Sequence, residues 1–152
     1  MSGLTHLDDE GRARMVDVGG KAVTRRVAVA TGRLDTTPEV VGLVVSDGLK
    51  KADALATARL AGIQAAKRTS ELIPLAHLLP LDSVKVEFEP AEASIGIRAT
   101  VAVTAKTGVE MEALTAVAVA GLTLHDMVKA IDPACVLGDI RLVEKTGGKH
   151  GH

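Results

Sequence analysis

Val84-Lys85-Val86-Glu87-Phe88-Glu89-Pro90-Ala91-Glu92-Ala93-Ser94-Ile95-Gly96-Ile97-Arg98-Ala99-Thr100-Val101-Ala102-Val103 is the stretch whose pattern decides the fold. In its first part Val84, Val86 and Phe88 alternate with Lys85, Glu87 and Glu89. A period of two puts all the apolar side chains of a strand on one face. Pro90 to Ala93 turns the chain, and Ile95, Ile97, Ala99, Val101 and Val103 take up the same period. Two alternating runs joined by a loop of several residues predict an antiparallel β-hairpin with one face half-buried. That face needs an apolar cover, and the flanking sequence supplies it.

Upstream, Lys51 to Leu72 predicts a long helix, in which Ala52, Ala56, Leu60 and Ile63 form one apolar face at spacings of four, four and three. Pro74 and Pro80 bracket a non-helical segment between this helix and the hairpin. Further upstream, Thr37-Pro38-Glu39 has the form of a helix start, with Thr37 as N-cap and Pro38 in the first helical position. That short helix ends near Asp47-Gly48. Before it, Val23, Arg25, Val27 and Val29 alternate within Lys21 to Leu34 and predict a strand. Downstream, Glu110 to about Ile131 predicts a second long helix, apolar nearly all round and hence buried on most sides. Val136 to Val143 predicts a last strand. The order strand, helix, helix, strand, strand, helix, strand points to an α+β, ferredoxin-like antiparallel sheet with helices packed on one face. Residues 1–14 are polar and aperiodic and are expected to be a mobile N-terminal arm before a single domain over 15–152.

The 152 residues suit one domain. Apolar residues make up 47% but aromatics only 1%, so the core must be aliphatic. Lys and Arg number 18 against 19 Asp and Glu, which excludes a polycation holding nucleic acid by its field and a disordered acidic tail. The scarcity of aromatics argues against single-strand recognition by base stacking. No nucleic-acid partner is expected. A single Cys135 excludes a disulfide framework and a thiolate-rich metal centre. The N-terminus lacks the apolar core of a signal peptide. The longest apolar stretch, Ala113 to Leu124, falls short of the roughly 20 residues that span a bilayer. No membrane partner and a cytoplasmic location are therefore expected.

Four polar clusters remain as candidate chemistry. In Leu75-Ala76-His77-Leu78-Leu79, His77 is a lone titratable group in an apolar, proline-bracketed loop; a satisfied core histidine and a binding residue are both open. In Lys106-Thr107-Gly108-Val109-Glu110-Met111-Glu112, the acids stand in the first turn of a helix, where they are stabilising. The buried character of that helix also brings them close to other chemistry. Asp126 and Lys129 stand three apart on one helical face. Exposed, they are an ordinary surface pair; partial burial after three apolar turns makes them a candidate acid–base pair. Glu144-Lys145-Thr146-Gly147-Gly148-Lys149 lacks the upstream glycine and the Ser or Thr of a P-loop, yet its glycines and lysines suit a phosphate. Lys50 and Lys51, cations at a predicted helix start, oppose the helix dipole. Asp17 is most simply a turn or strand-edge residue.

Taken together, these blocks resemble the MoaC family. The likeness rests on Met15-Val16-Asp17-Val18, on Ala58-Arg59-Leu60-Ala61-Gly62-Ile63-Gln64-Ala65-Ala66-Lys67-Arg68-Thr69, on Leu72-Ile73-Pro74-Leu75-Ala76-His77, on residues 106–115, on Asp126-Met127-Val128-Lys129-Ala130 and on residues 144–149. It implies a ferredoxin-like lyase, a cyclic pyranopterin monophosphate synthase of molybdenum cofactor biosynthesis. Such an enzyme converts 3′,8-cyclo-7,8-dihydroguanosine 5′-triphosphate (cyclic dihydro-GTP) to cyclic pyranopterin monophosphate and releases pyrophosphate. The resemblance places Asp126 and Lys129 as the catalytic pair. It places Leu75, Ala76, His77, Glu110, Met111 and Glu112 in substrate-contact segments, Lys51 and Lys145 around the substrate, and Arg26 near its phosphates. It further implies a homohexamer, a trimer of dimers. No metal ligands and no certain cofactor follow from it, and Mg²⁺ on the substrate phosphates stays open. The chain departs from the family's Leu-Cys-His-Pro-Leu at Leu75-Ala76-His77-Leu78-Leu79, and carries His125 and Val128 where Tyr and Cys are common.

Spacing adds a consequence. Glu112 and Asp126 on one helix stand 14 residues apart, or ~21 Å. One compact substrate cannot bridge that distance, so the site is expected to be shared between subunits across an antiparallel pair of these helices. The competing expectations are a non-catalytic nucleotide-binding or oligomerisation module, which tolerates Asp126→Asn, and, more weakly, a nucleic-acid binder.

Overall fold

A computed structural model describes residues 13–46, 48–49 and 53–148. The elements run β1 (Thr24–Asp35), α1 (Pro38–Val45), α2 (Ala54–Lys67), α3 (Thr69–Leu72), β2 (Ser83–Pro90), β3 (Ser94–Ala105), α4 (Glu110–Val128) and β4 (Val136–Thr146). The strands lie in the order β2-β3-β1-β4, every neighbouring pair antiparallel. This is the expected ferredoxin-like sheet, with the helices on one face. The N-terminal arm, apart from its last two residues, lies outside the described residues.

The hairpin forms as its alternation requires. Val84 faces Val101, Val86 faces Ala99 and Phe88 faces Ile97, which gathers the apolar set on one side. The Ala91 N–H closes the turn on the Ser94 carbonyl at 2.8 Å. Ile95, Ile97, Ala99, Val101 and Val103 are all buried there. Next to them run Ala28, Ala30 and Leu34 of β1, opposite Val101, Ala99 and Ile95. The alternation of β1 is thus one residue out of phase with the expected one. Val23 is exposed, and Val27 and Val29 lie on the other face. The inner residues of β1 are small because α4 lies close against the strand. A Cβ on Gly32 would come within 2.7 Å of a Val117 methyl.

The same close packing corrects the expected helix over 51–72. The Asp53 carboxylate accepts the Ala56 N–H at 3.0 Å and starts α2 at Ala54. Arg68 interrupts the helix, and α3 follows as a separate turn. The buried face is Ala54, Ala58, Gly62, Ala65 and Ala66; of the expected face Ile63 is half-buried against the core, whereas Ala56 is exposed and Leu60 is 57% exposed. Ala52, the first residue of the expected face, lies outside the described residues. A Cβ on Gly62 would stand 3.0 Å from the Ala116 carbonyl and 3.2 Å from the Ala120 Cβ. Only small residues permit that separation between α2 and α4. From the same helix, Arg59 donates to the Val86 carbonyl at 3.0 Å and stands 5.5 Å over the Phe88 ring, tying α2 to β2.

The start of α1 is as expected: Thr37 Oγ1 accepts the Val40 N–H and Pro38 opens the helix. At the other end of the chain, α4 stops at Val128 rather than Ile131, and β4 runs on to Thr146. By length and composition alone α4 could cross a membrane, although its longest uninterrupted apolar stretch is shorter. Here it packs on β1, β3, β4 and α2 as the central helix of the aliphatic core. It is not buried all round. Met111, Leu122, Asp126 and Lys129 are exposed, while Leu114, Ala118 and His125 between them are half-covered.

Candidate active site

The β3–α4 connection delivers the N-terminal turn of α4 to one end of the sheet. The loop after α3, stiffened by Pro74 and Pro80, passes beside it, and residues 16–21 cross in front. Between them lies a cavity of ≈ 280 Å³. Leu75, Ala76 and His77 line it from the loop, and Glu110, Met111 and Glu112 from the helix. Two clusters more than 30 residues apart in sequence thus share one wall.

His77 is half-buried, with Nε2 at 2.7 Å from the Val16 carbonyl. A carbonyl only accepts, so Nε2 carries a proton and is the donor of this bond. Glu112 is 4% exposed. Burial pushes its carboxyl up to about 7; its own backbone N–H opposes the shift and the Glu110 charge adds to it. It therefore exchanges a proton near neutrality. Both acids stand in the first turn of α4 as expected, although the N-cap is Val109 and no side-chain hydrogen bond caps the helix. Glu110 faces Lys145, whose Nζ is 3.9 Å from its carboxylate. Lys145 reaches it because it lies opposite Ala28, on the helix-covered face of the sheet. Met111 sits exposed at the rim.

Arg26 stands outside the cavity lining. Its Nε donates to the Ala105 carbonyl at 3.1 Å, and its Nη2 to the carbonyls of Ala22 and Lys106, both at 3.2 Å. It braces the end of β3 against the chain entering β1. Lys51 lies outside the described residues, as do Lys50 and Lys149. Among the described residues no group of three or more His, Cys, Asp or Glu could hold a metal ion.

Asp126 and Lys129 are at the far end of α4. Lys129 Nζ donates to Asp126 at 2.8 Å, and this bond holds the ammonium above its ordinary range. Their side chains are 57% and 56% exposed, so the expected partial burial is not found within one chain. The reason is angular: both residues lie on the face of α4 turned away from the sheet. Because α4 is unbroken, its two candidate groups stay ~21 Å apart.

Leu79, Thr107 and Gly108 complete the two walls, and Val16, Val18 and Lys21 line the cavity from a segment that the sequence did not mark as part of the site. A turn precedes Lys21: Asp17 accepts the Gly19 N–H at 2.8 Å, and the Lys21 N–H bonds the Val18 carbonyl at 3.0 Å. The Asp17-x-Gly19-Gly20 turn was the available signal, since it redirects Lys21 inward. A cavity with a titrating carboxyl and an imidazole in its wall, and Lys21 and Lys145 close by, suits an anionic, protonatable ligand.

A sequence model described as the MoaC family matches residues 15–148. The chain is 57% identical over 148 residues to cyclic pyranopterin monophosphate synthase 2 of Mycobacterium bovis, covering 97% of this chain and 89% of that one. It is 57% identical over 148 residues to cyclic pyranopterin monophosphate synthase of Streptomyces avermitilis, covering 97% and 87%. The corresponding Chloroflexus aggregans protein is 57% identical over 150 residues, covering 97% and 91%.

Proposed function

The chain belongs to the MoaC family, and from that premise we propose that it is a cyclic pyranopterin monophosphate synthase, a lyase acting in the cytoplasm on cyclic dihydro-GTP. The observation that carries the proposal is the convergence of Leu75–His77 and Glu110–Glu112 on one cavity beside Lys145. Closing a cyclic phosphate forms a P–O bond at the α-phosphorus and breaks the bond to the β-phosphate. The incoming hydroxyl must lose a proton, and the departing pyrophosphate needs cations. Asp126 and Lys129 are assigned the proton transfers. Lys51, Lys145 and Arg26 are assigned the phosphates, and the cavity residues hold the ring. Any Mg²⁺ is assigned to the substrate phosphates rather than to protein ligands.

The site is shared between two subunits in this proposal, with Met111, Glu112 and His77 from one, and Asp126, Lys129 and Lys51 from its neighbour. Two observations support that. The cavity, ≈ 280 Å³, falls just under the roughly 300–1,000 Å³ usual for small-molecule sites. Met111, Ala118, Leu122 and Lys129 also lie within about 20° of one line down α4, at 100° per residue. That partly exposed stripe, apolar in its middle, suits a second α4 laid antiparallel across a two-fold axis. Three such dimers make the hexamer. The test is incubation with cyclic dihydro-GTP while pyrophosphate is followed. Release by the wild type, and its loss in Asp126→Asn with the circular dichroism spectrum unchanged, is the expected result. Binding without release by the wild type would favour the non-catalytic module.

A further inference from the structure

Residues 16–22 are tied across the candidate substrate cavity by side chains from three separate parts of the fold. His77 Nε2–H donates to the Val16 carbonyl at 2.7 Å from the loop after α3. Lys106 Nζ reaches the Gly19 carbonyl at 3.4 Å from the end of β3. Arg26 Nη2 holds the Ala22 carbonyl at 3.2 Å from β1. In every case the segment contributes only a backbone carbonyl, so the ties set its path whatever its own side chains do. Within that path Val16, Val18 and Lys21 face the cavity, and Lys21 is the cation it delivers.

We propose that residues 16–22 form a strap that roofs the substrate cavity, with His77 as its principal latch, and that His77 is a positioning residue rather than a proton donor to the substrate. The His77 tie is the shortest of the three and the only one from a half-buried side chain on the opposite wall. Its Nε2–H is spent on Val16, so moving that proton to substrate would release the strap at the moment the cavity must exclude water. The latch survives protonation of the ring, because Nε2 keeps its hydrogen in both the neutral Nε2–H tautomer and the imidazolium. Lys106 and Arg26 set the far end of the strap and the approach of Lys21.

The proposal rests on the cavity being the substrate site, and one of its two tests reads the strap without turnover. Brief trypsin digestion of the whole protein, followed by mass spectrometry, reports cleavage after Lys21 through the fragment that begins at Ala22. His77→Phe, which keeps a ring and loses the donor, is expected to speed that cleavage about tenfold, the scale of one lost hydrogen bond. His77→Gln, whose amide can donate to Val16, is expected to restore most of the protection. In pyrophosphate release the Phe variant should raise KM for cyclic dihydro-GTP by a similar factor, and the Gln variant should recover much of that rise. The ascending limb of the kcat–pH profile should stay where it is in both. Equal cleavage of wild type and His77→Phe would overturn the latch. A loss of kcat shared equally by Phe and Gln, with the strap still protected, would make His77 a proton donor instead. Faster cleavage in a protein whose wild type releases no pyrophosphate would leave the strap standing and sink the assigned reaction.

Discussion

Glu112 shows how one carboxyl ties function to stability. In the unfolded chain it titrates near its ordinary value of 4.5, and in the folded one near about 7, mainly through burial. Between those two pH values the folded state holds a proton that the unfolded state releases, so stability falls as pH rises through that window. Below pH 4.5 both states are protonated and the cost vanishes; above about 7 it is complete, at about 3 kcal/mol. Glu112→Gln keeps the shape and removes the charge. It should raise stability at pH 8 by a sizeable part of that amount and flatten the dependence between pH 5 and 7.5. Urea unfolding at several pH values checks this, and an undiminished slope in the variant would show that another group is responsible. The sequence placed Glu112 in a helix's first turn, where an acid is ordinarily a surface feature. Whether that turn faced water or a cavity depended on the rotation of α4 about its axis, which only its neighbours set.

At the scale of elements, legibility followed the size of the side chains. The β2–β3 hairpin was readable to within a residue or two because Val86, Phe88, Ile95, Ile97 and Val101 bury large apolar groups on one face. On α2 the large residues misled. Leu60 points outward, while Ala58, Gly62, Ala65 and Ala66 make the contact with α4. β1 behaves alike, its inner face being Ala28, Ala30, Gly32 and Leu34. Small residues score low on any hydrophobic pattern, yet they are what a close helix contact demands. Gly62→Val should therefore cost about 1–3 kcal/mol by overpacking against Ala116 and Ala120. Ala56→Val, on the exposed side of the same helix, should stay within about 0.5 kcal/mol. Thermal or urea unfolding of the two variants separates them, and similar costs would mean the helix buries the other face.

For the whole molecule the deciding feature is the length of α4. It brings Glu112 into a cavity with His77 and carries Asp126 and Lys129 to the opposite end. A shared site makes a direct prediction for mixed oligomers. After subunit exchange between Asp126→Ala and His77→Ala proteins, about a quarter of the sites regain both wild-type halves if dimers form at random. At cyclic dihydro-GTP well below KM, where the His77→Ala parent is impaired, pyrophosphate release should then rise above that of either parent, and no gain after verified exchange would mean that each chain builds its own site. The sequence by itself determined the order of the elements, the hairpin, the α1 cap and the segments that bear polar chemistry. Those are local matters, written in periods of two and 3.6 and in the chemistry of single turns. Only the tertiary structure decided which faces of β1 and α2 are buried. It alone brought the strap with Lys21 over His77, raised the proton affinity of Glu112 and left Asp126 and Lys129 exposed. Each of these depends on how close and at what rotation two distant segments meet. The meeting is governed by packing of the whole core, which no local pattern encodes.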